Sequence, residues 1–81
     1  MSRISGKSAE GTLLAQLGQV IRARRLTVDL SQEALANLAG IDRSHMGKIE
    51  RGERNVTLLN IERIADALNT APSNLLAEAG F

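Results

Sequence analysis

Apolar residues recur at three- and four-residue intervals along most of this chain, the spacing that lines up side chains on one face of an α-helix. Leu14, Leu17, Val20 and Ile21 form the first stripe. It predicts a helix running from Thr12, or from near Ser8, to about Leu26 or Thr27, with Thr12 as candidate N-cap. Asp29 stands where glycine would end a helix more readily. Leu35, Ala39, Ile41, Met46 and Ile49 are the apolar positions of the next two elements. Ser31 is placed to cap the second helix, with Glu33 in its first turn, and Asp42 to cap the third, which should reach Glu50 or Arg51. Gly52 follows as a terminator. Beyond a loop of Glu53, Arg54, Asn55 and Val56, Thr57 caps a fourth helix with the stripe Leu58, Ile61, Ile64, Ala65 and Leu68. Pro72 opens a short fifth helix offering Leu75 and Leu76. No alternating strand pattern and no repeat interrupts this, so the expected fold is all-α with about five helices. Residues 1–11 are rich in Ser and Gly and lack periodicity; they are expected to form a flexible arm before a domain spanning residues 12–81.

The segment from Gln32 to Arg51 is the most constrained. Ala36 is small where two crossing helices need close approach, and Gly40 sits where the chain must reverse with a positive φ. Two short helices joined by such a turn make the helix-turn-helix pattern, in which the second helix docks against base edges in the DNA major groove.

Composition bounds this reading without deciding it. Eighty-one residues make one domain of marginal independent stability, which dimerisation would help. There is no cysteine, hence no disulfide framework and no thiolate metal site. No apolar run approaches the roughly 20 residues of a membrane helix, and MSRISGKSAEG has no apolar signal core, so a cytoplasmic protein is expected. Net charge is only +1, but residues 1–57 carry nine Lys/Arg against six acids, while beyond them Arg63 faces three acids. The basic part contains the helix-turn-helix, which suits an anionic partner, although a normally solvated surface would look the same. An enzyme is not expected: there is no paired acid and base, no Gly-rich phosphate loop and no metal-ligand cluster, and no cofactor is implied. A single terminal aromatic, Phe81, is no stacking platform for single-stranded RNA.

The third helix would read bases from its N-terminal residues and from the face one turn on, which carries Arg43, Ser44, Gly47 and Lys48. The Arg43 fork matches O6 and N7 of guanine, a pairing worth about 1–3 kcal/mol of discrimination. Ser44 can bond several bases, Gly47 allows close approach without selecting a base, and Lys48 reaches a guanine or a phosphate. His45 lies beside this face and suits a phosphate or sugar; as a lone histidine it is a poor metal ligand. Phosphate contacts would frame the helix. Gln32 and Ser31 stand at the N-terminus of the second helix, where free N–H groups attract an anion, and Arg51, Arg54 and Asn55 follow the third. Neutralising about six phosphates would give log K a slope near −5 against log salt. The competing reading of Arg43, Lys48, Arg51 and Arg54 is ordinary solvated surface.

The stretch LSQEALANLAGIDRSHMGKIERGERNVTLLNIERIADAL resembles the lambda-repressor-like (XRE) helix-turn-helix family, over roughly Leu14 to Leu76. Its DRSH…IERGERNVTL segment is similar to the small controller proteins of restriction–modification systems. The resemblance implies a compact five-helix domain with base contacts at Arg43, Ser44, Gly47 and Lys48. It further implies a Gln32 that bonds phosphate and braces the reading helix, and an ion pair between Arg25 and Glu50. It points to a stand-alone dimeric transcriptional regulator on double-stranded DNA, governed by its own concentration, with no small-molecule ligand. A two-fold dimer would read a near-palindrome with half-sites about 34 Å apart, or a multiple of that. Candidate interface residues are Leu59, Leu75, Leu76, Ala79 and Phe81, with a closed intramolecular core as the competing role for Leu75. Alternatives with the same fold are an antitoxin and a protein-interaction module that has lost DNA binding.

Overall fold

A computed structural model describes the backbone of residues 6–81 and the side chains of residues 12–81. Five helices follow in order: α1 (Gly6–Thr27), α2 (Gln32–Ala39), α3 (Arg43–Glu50), α4 (Leu58–Ala67) and α5 (Pro72–Glu78), and no strand occurs among the described residues. Of the arm expected over residues 1–11, residues 1–5 lie outside the described residues, and residues 6–11 are the first turns of α1. Thr12 lies inside α1 and does not cap it.

The short helices are delimited by local chemistry. The Ser31 side chain accepts from Ala34 N at 3.0 Å, and the Thr57 hydroxyl accepts from Asn60 N at 3.0 Å. Each satisfies a backbone N–H that the first helical turn leaves without a partner. Gly40 ends α2 at φ 69°, which lets Ile41 N return to Ala36 O at 2.9 Å. Asp29 closes α1 at φ 63°, a left-handed conformation that aspartate tolerates better than most residues.

Leu17 and Ile21 of α1, Leu35, Ala36 and Ala39 of α2, Met46 and Ile49 of α3, and Ile61, Ile64 and Ala65 of α4 bury together, joined by Ile41 and Leu68. Leu75 and Ala79 close the same core from α5. Leu75 thus takes the competing role, in the closed core, and Ala79, expected at an interface, is buried with it. Leu75 is 0% exposed because its short helix must seal the end of the bundle against α1 and α4. Leu58 also departs from expectation. It is 80% exposed, because the first turn of α4 projects past the core even though its spacing continues the buried stripe.

Two glycines set how closely α1 meets the end of α3. A Cβ at Gly18 would stand 2.5 Å from Glu50 O and 2.6 Å from Ile49 O. A Cβ at Gly52, which adopts φ 75°, would stand 2.8 Å from the Cα of Ala15. Backbone thus packs on backbone at this crossing, and no larger residue fits without separating the helices.

Candidate nucleic-acid interface

Asp42 organises the start of α3. Its carboxylate accepts from Ser44 N at 3.1 Å and His45 N at 3.3 Å, and the Ser44 hydroxyl donates to Oδ2 at 2.6 Å. That hydroxyl, followed by the two backbone N–H groups, holds the carboxyl below its usual range. Arg43 and Ser44 are exposed, His45 and Lys48 half-buried, and Met46 and Ile49 face the core. Three of the four expected base-reading positions therefore lie on the accessible side of the helix.

Gly47 does not. It is buried beneath two side chains: a Cβ there would meet Gln32 Oε1 and Arg51 Nη1, each at 3.2 Å. Its place in the helix is to let those chains lie flat across it, so it is not an open reading position.

Behind this face sits Glu50, whose side chain is 2% exposed. Arg25 donates to it twice, from Nε to Oε2 at 2.7 Å and from Nη2 to Oε1 at 2.9 Å, and its Nη1 donates to Leu30 O at 3.0 Å. Gln32 Nε2 adds a bond to Oε1 at 3.0 Å. The hydrogen bonds that Arg25 donates to Glu50, opposed by burial, raise the guanidinium above its ordinary value. One carboxylate therefore joins α1, the first residue of α2 and the last residue of α3. Gln32 is oriented by Glu50 while the opposite side of its amide overlies Gly47. This gives the residue at the start of α2 a fixed pose beside the outward face of α3.

The loop after α3 is arranged differently. Arg51 Nε and Nη2 donate to Glu53 at 3.0 and 3.3 Å, and Arg51 in turn holds the Glu53 carboxyl below its usual range. Arg54 and Asn55 are exposed. Arg43, Lys48 and Arg54 form no salt bridge among the described residues, and of the three only Lys48 has its charge felt by a nearby carboxylate, Glu53. Ser31 is exposed at the start of α2, but its oxygen is committed to the cap.

A family model described as a helix-turn-helix domain matches residues 16–79, nearly all of the folded chain. The chain belongs to this helix-turn-helix family. Within the family it is similar to the control protein C.SmaI of Serratia marcescens, 44% identical over 65 residues covering 80% of this chain and 77% of that protein. It is also similar to the control protein C.BamHI of Bacillus amyloliquefaciens, 47% identical over 60 residues covering 73% and 74%. Among solved structures, the restriction-modification controller protein C.AhdI from Aeromonas hydrophila superposes with a TM-score of 0.75 at 50% identity, covering 76% of this chain and 94% of that one. The helix-turn-helix of this family member is α2 and α3, with Gly40 at the reversal.

Sequence reasoning missed three features. Gly18 could have been noticed, since glycine inside a helix costs about 1 kcal/mol relative to alanine and signals close approach. The pair between Arg24 of α1 and Glu78 of α5 joins residues 54 apart in sequence, which no local pattern reveals. The commitment of the Ser44 proton to Asp42 depends on cap geometry.

Proposed function

We propose that this protein is a sequence-specific double-stranded DNA-binding transcriptional regulator, acting as a two-fold dimer on a near-palindromic operator, in the manner of a restriction–modification controller. The observation that carries the reading is the outward row of Arg43, Ser44 and Lys48 on a helix anchored from behind through Glu50. Arg43 offers a bidentate fork to guanine, and Ser44 and Lys48 contact neighbouring base edges. Gln32, Arg51, Arg54 and Asn55 hold phosphates on either side, with secondary contacts from Ser31 and His45, and these fix register without reading sequence. Cations outside any salt bridge at Arg43, Lys48 and Arg54 support the role; a module that had abandoned DNA would not need them.

One reading helix covers too few base pairs to select a genomic site, so two copies are required. Of the candidate interface residues, Leu59 and Phe81 are exposed and Leu76 is half-buried, and the interface is built from these. The similarity to control proteins supports assignment to a restriction–modification locus. No helix among the described residues is long and apolar enough to cross a membrane, consistent with a partner in bulk solution.

The test is selection of bound duplexes from a random pool, with sedimentation of the free protein at micromolar concentration. A two-fold symmetric consensus and a dimeric species are expected. Absence of any duplex preference over bulk competitor would overturn the DNA-reading assignment, and a monomer at every concentration would overturn the dimer.

A further inference from the structure

We propose that Ser44 reads DNA only as a hydrogen-bond acceptor, and so selects bases carrying a major-groove amine, because Asp42 has taken its one proton. This rests on the reading of α3 as the recognition helix and adds the polarity of one of its contacts.

A serine hydroxyl has one donor and two acceptor lone pairs, and its proton ordinarily turns to suit whatever it meets. Here the freedom is gone. An ionised carboxylate accepts only, so the 2.6 Å contact between Ser44 Oγ and Asp42 Oδ2 has the serine as donor. Its length lies in the range of charge-assisted O–H···O⁻ bonds, roughly twice as strong as neutral ones. Asp42 is anchored in turn by the N–H groups of Ser44 and His45, so it cannot swing away without uncapping α3. What remains on the exposed side of Ser44 is lone-pair density.

In the major groove the bases differ in what they offer such an oxygen. Adenine N6 and cytosine N4 donate; guanine O6 and thymine O4 only accept. Every base pair contains one amine and one keto base at this edge. Ser44 therefore decides which strand carries the amine at its position, without deciding between A·T and C·G. The expected signature is one position per half-site that tolerates A or C and rejects G or T. Released from Asp42, the hydroxyl would turn and accept all four.

The experiment is duplex selection with the full chain as wild type, Ser44→Ala, Ser44→Thr and Asp42→Asn. Wild type should enrich A and C over G and T by about 5- to 150-fold at one position, the cost of facing an unsatisfied polar group. Ser44→Ala should flatten that position alone, and Ser44→Thr should keep the preference. Asparagine caps helices as well as aspartate, so Asp42→Asn should fold. It should shrink the ratio severalfold, because the hydroxyl is then held by a neutral acceptor. Its uniform gain in DNA affinity cancels in a ratio between bases. Enrichment of G or T at the Ser44-dependent position overturns the proposal, as does an Asp42→Asn pattern identical to wild type. If Ser44→Ala changes no position while duplexes are still selected, the proposal falls and the regulator reading stands. If wild type selects no duplex, both fall.

Discussion

Glu50 and Arg51 are neighbours in sequence, and each forms a bidentate arginine–carboxylate pair, yet the two pairs do opposite things. The side chains of Arg25 and Glu50 are 9% and 2% exposed, whereas those of Arg51 and Glu53 are 57% and 53% exposed. In the buried pair both charges have lost water, and further bonds from Gln32 and to Leu30 O complete their coordination. Breaking such a pair leaves a stranded charge. In the exposed pair water competes for both groups, and the net contribution to folding is near zero. Its consequence is for the proposed function: Glu53 competes with phosphate for the Arg51 guanidinium. Identical chemistry thus builds the scaffold on one side of the α3 terminus and tempers binding on the other.

The comparison is broken most directly by Arg25→Ala, expected to cost about 3–5 kcal/mol in denaturant unfolding. An unchanged midpoint would make the buried pair no different from the exposed one. Next is Gly18→Ala. In an open helix this exchange stabilises by about 1 kcal/mol, but here the new methyl meets the Glu50 carbonyl, and a loss of about 1–3 kcal/mol is expected. The sign alone decides whether α1 and α3 touch as described. Glu53→Gln should leave the unfolding midpoint nearly unchanged. It should also tighten DNA binding and steepen the salt slope by about one, as one more cation becomes available.

Acid pH gives the smallest and most graded effect. Asp42, Glu53 and Glu78 are all held below the ordinary carboxylate range, by the Ser44 hydroxyl, Arg51 and Arg24 respectively. A group whose pKa is lower folded than unfolded contributes stability that is fully present above its unfolded value. That stability disappears as pH falls through the folded one. Thermal midpoints should therefore decline through and below the usual carboxylate range, and Glu78→Gln should flatten part of that decline without moving the neutral-pH value much.

How far the sequence spoke follows the same division between local and distant. Ser31, Asp42, Thr57 and Gly40 were legible because a cap or a left-handed residue acts within four positions of itself. The stripes of α2, α3 and α4 were legible because periodicity records which face is apolar. Periodicity does not record where the core ends, which is why Leu58 looked buried, Ala79 looked available and Leu75 fitted either role. Gly47 lay on the right helical face by angle, but the side chains covering it come from another helix and from beyond its own C-terminus. Gly18 needed a knowledge of which helix crosses α1, and where.

The triple anchorage at Glu50 also shifts work onto the nucleic acid. A protein whose reading element is fastened to two other helices arrives already set and has little of its own conformation left to adjust. Accommodation at contact then falls to the duplex, through groove width and the give of pyrimidine–purine steps. On the operator proposed above, base pairs between the half-sites would then affect affinity through their stiffness.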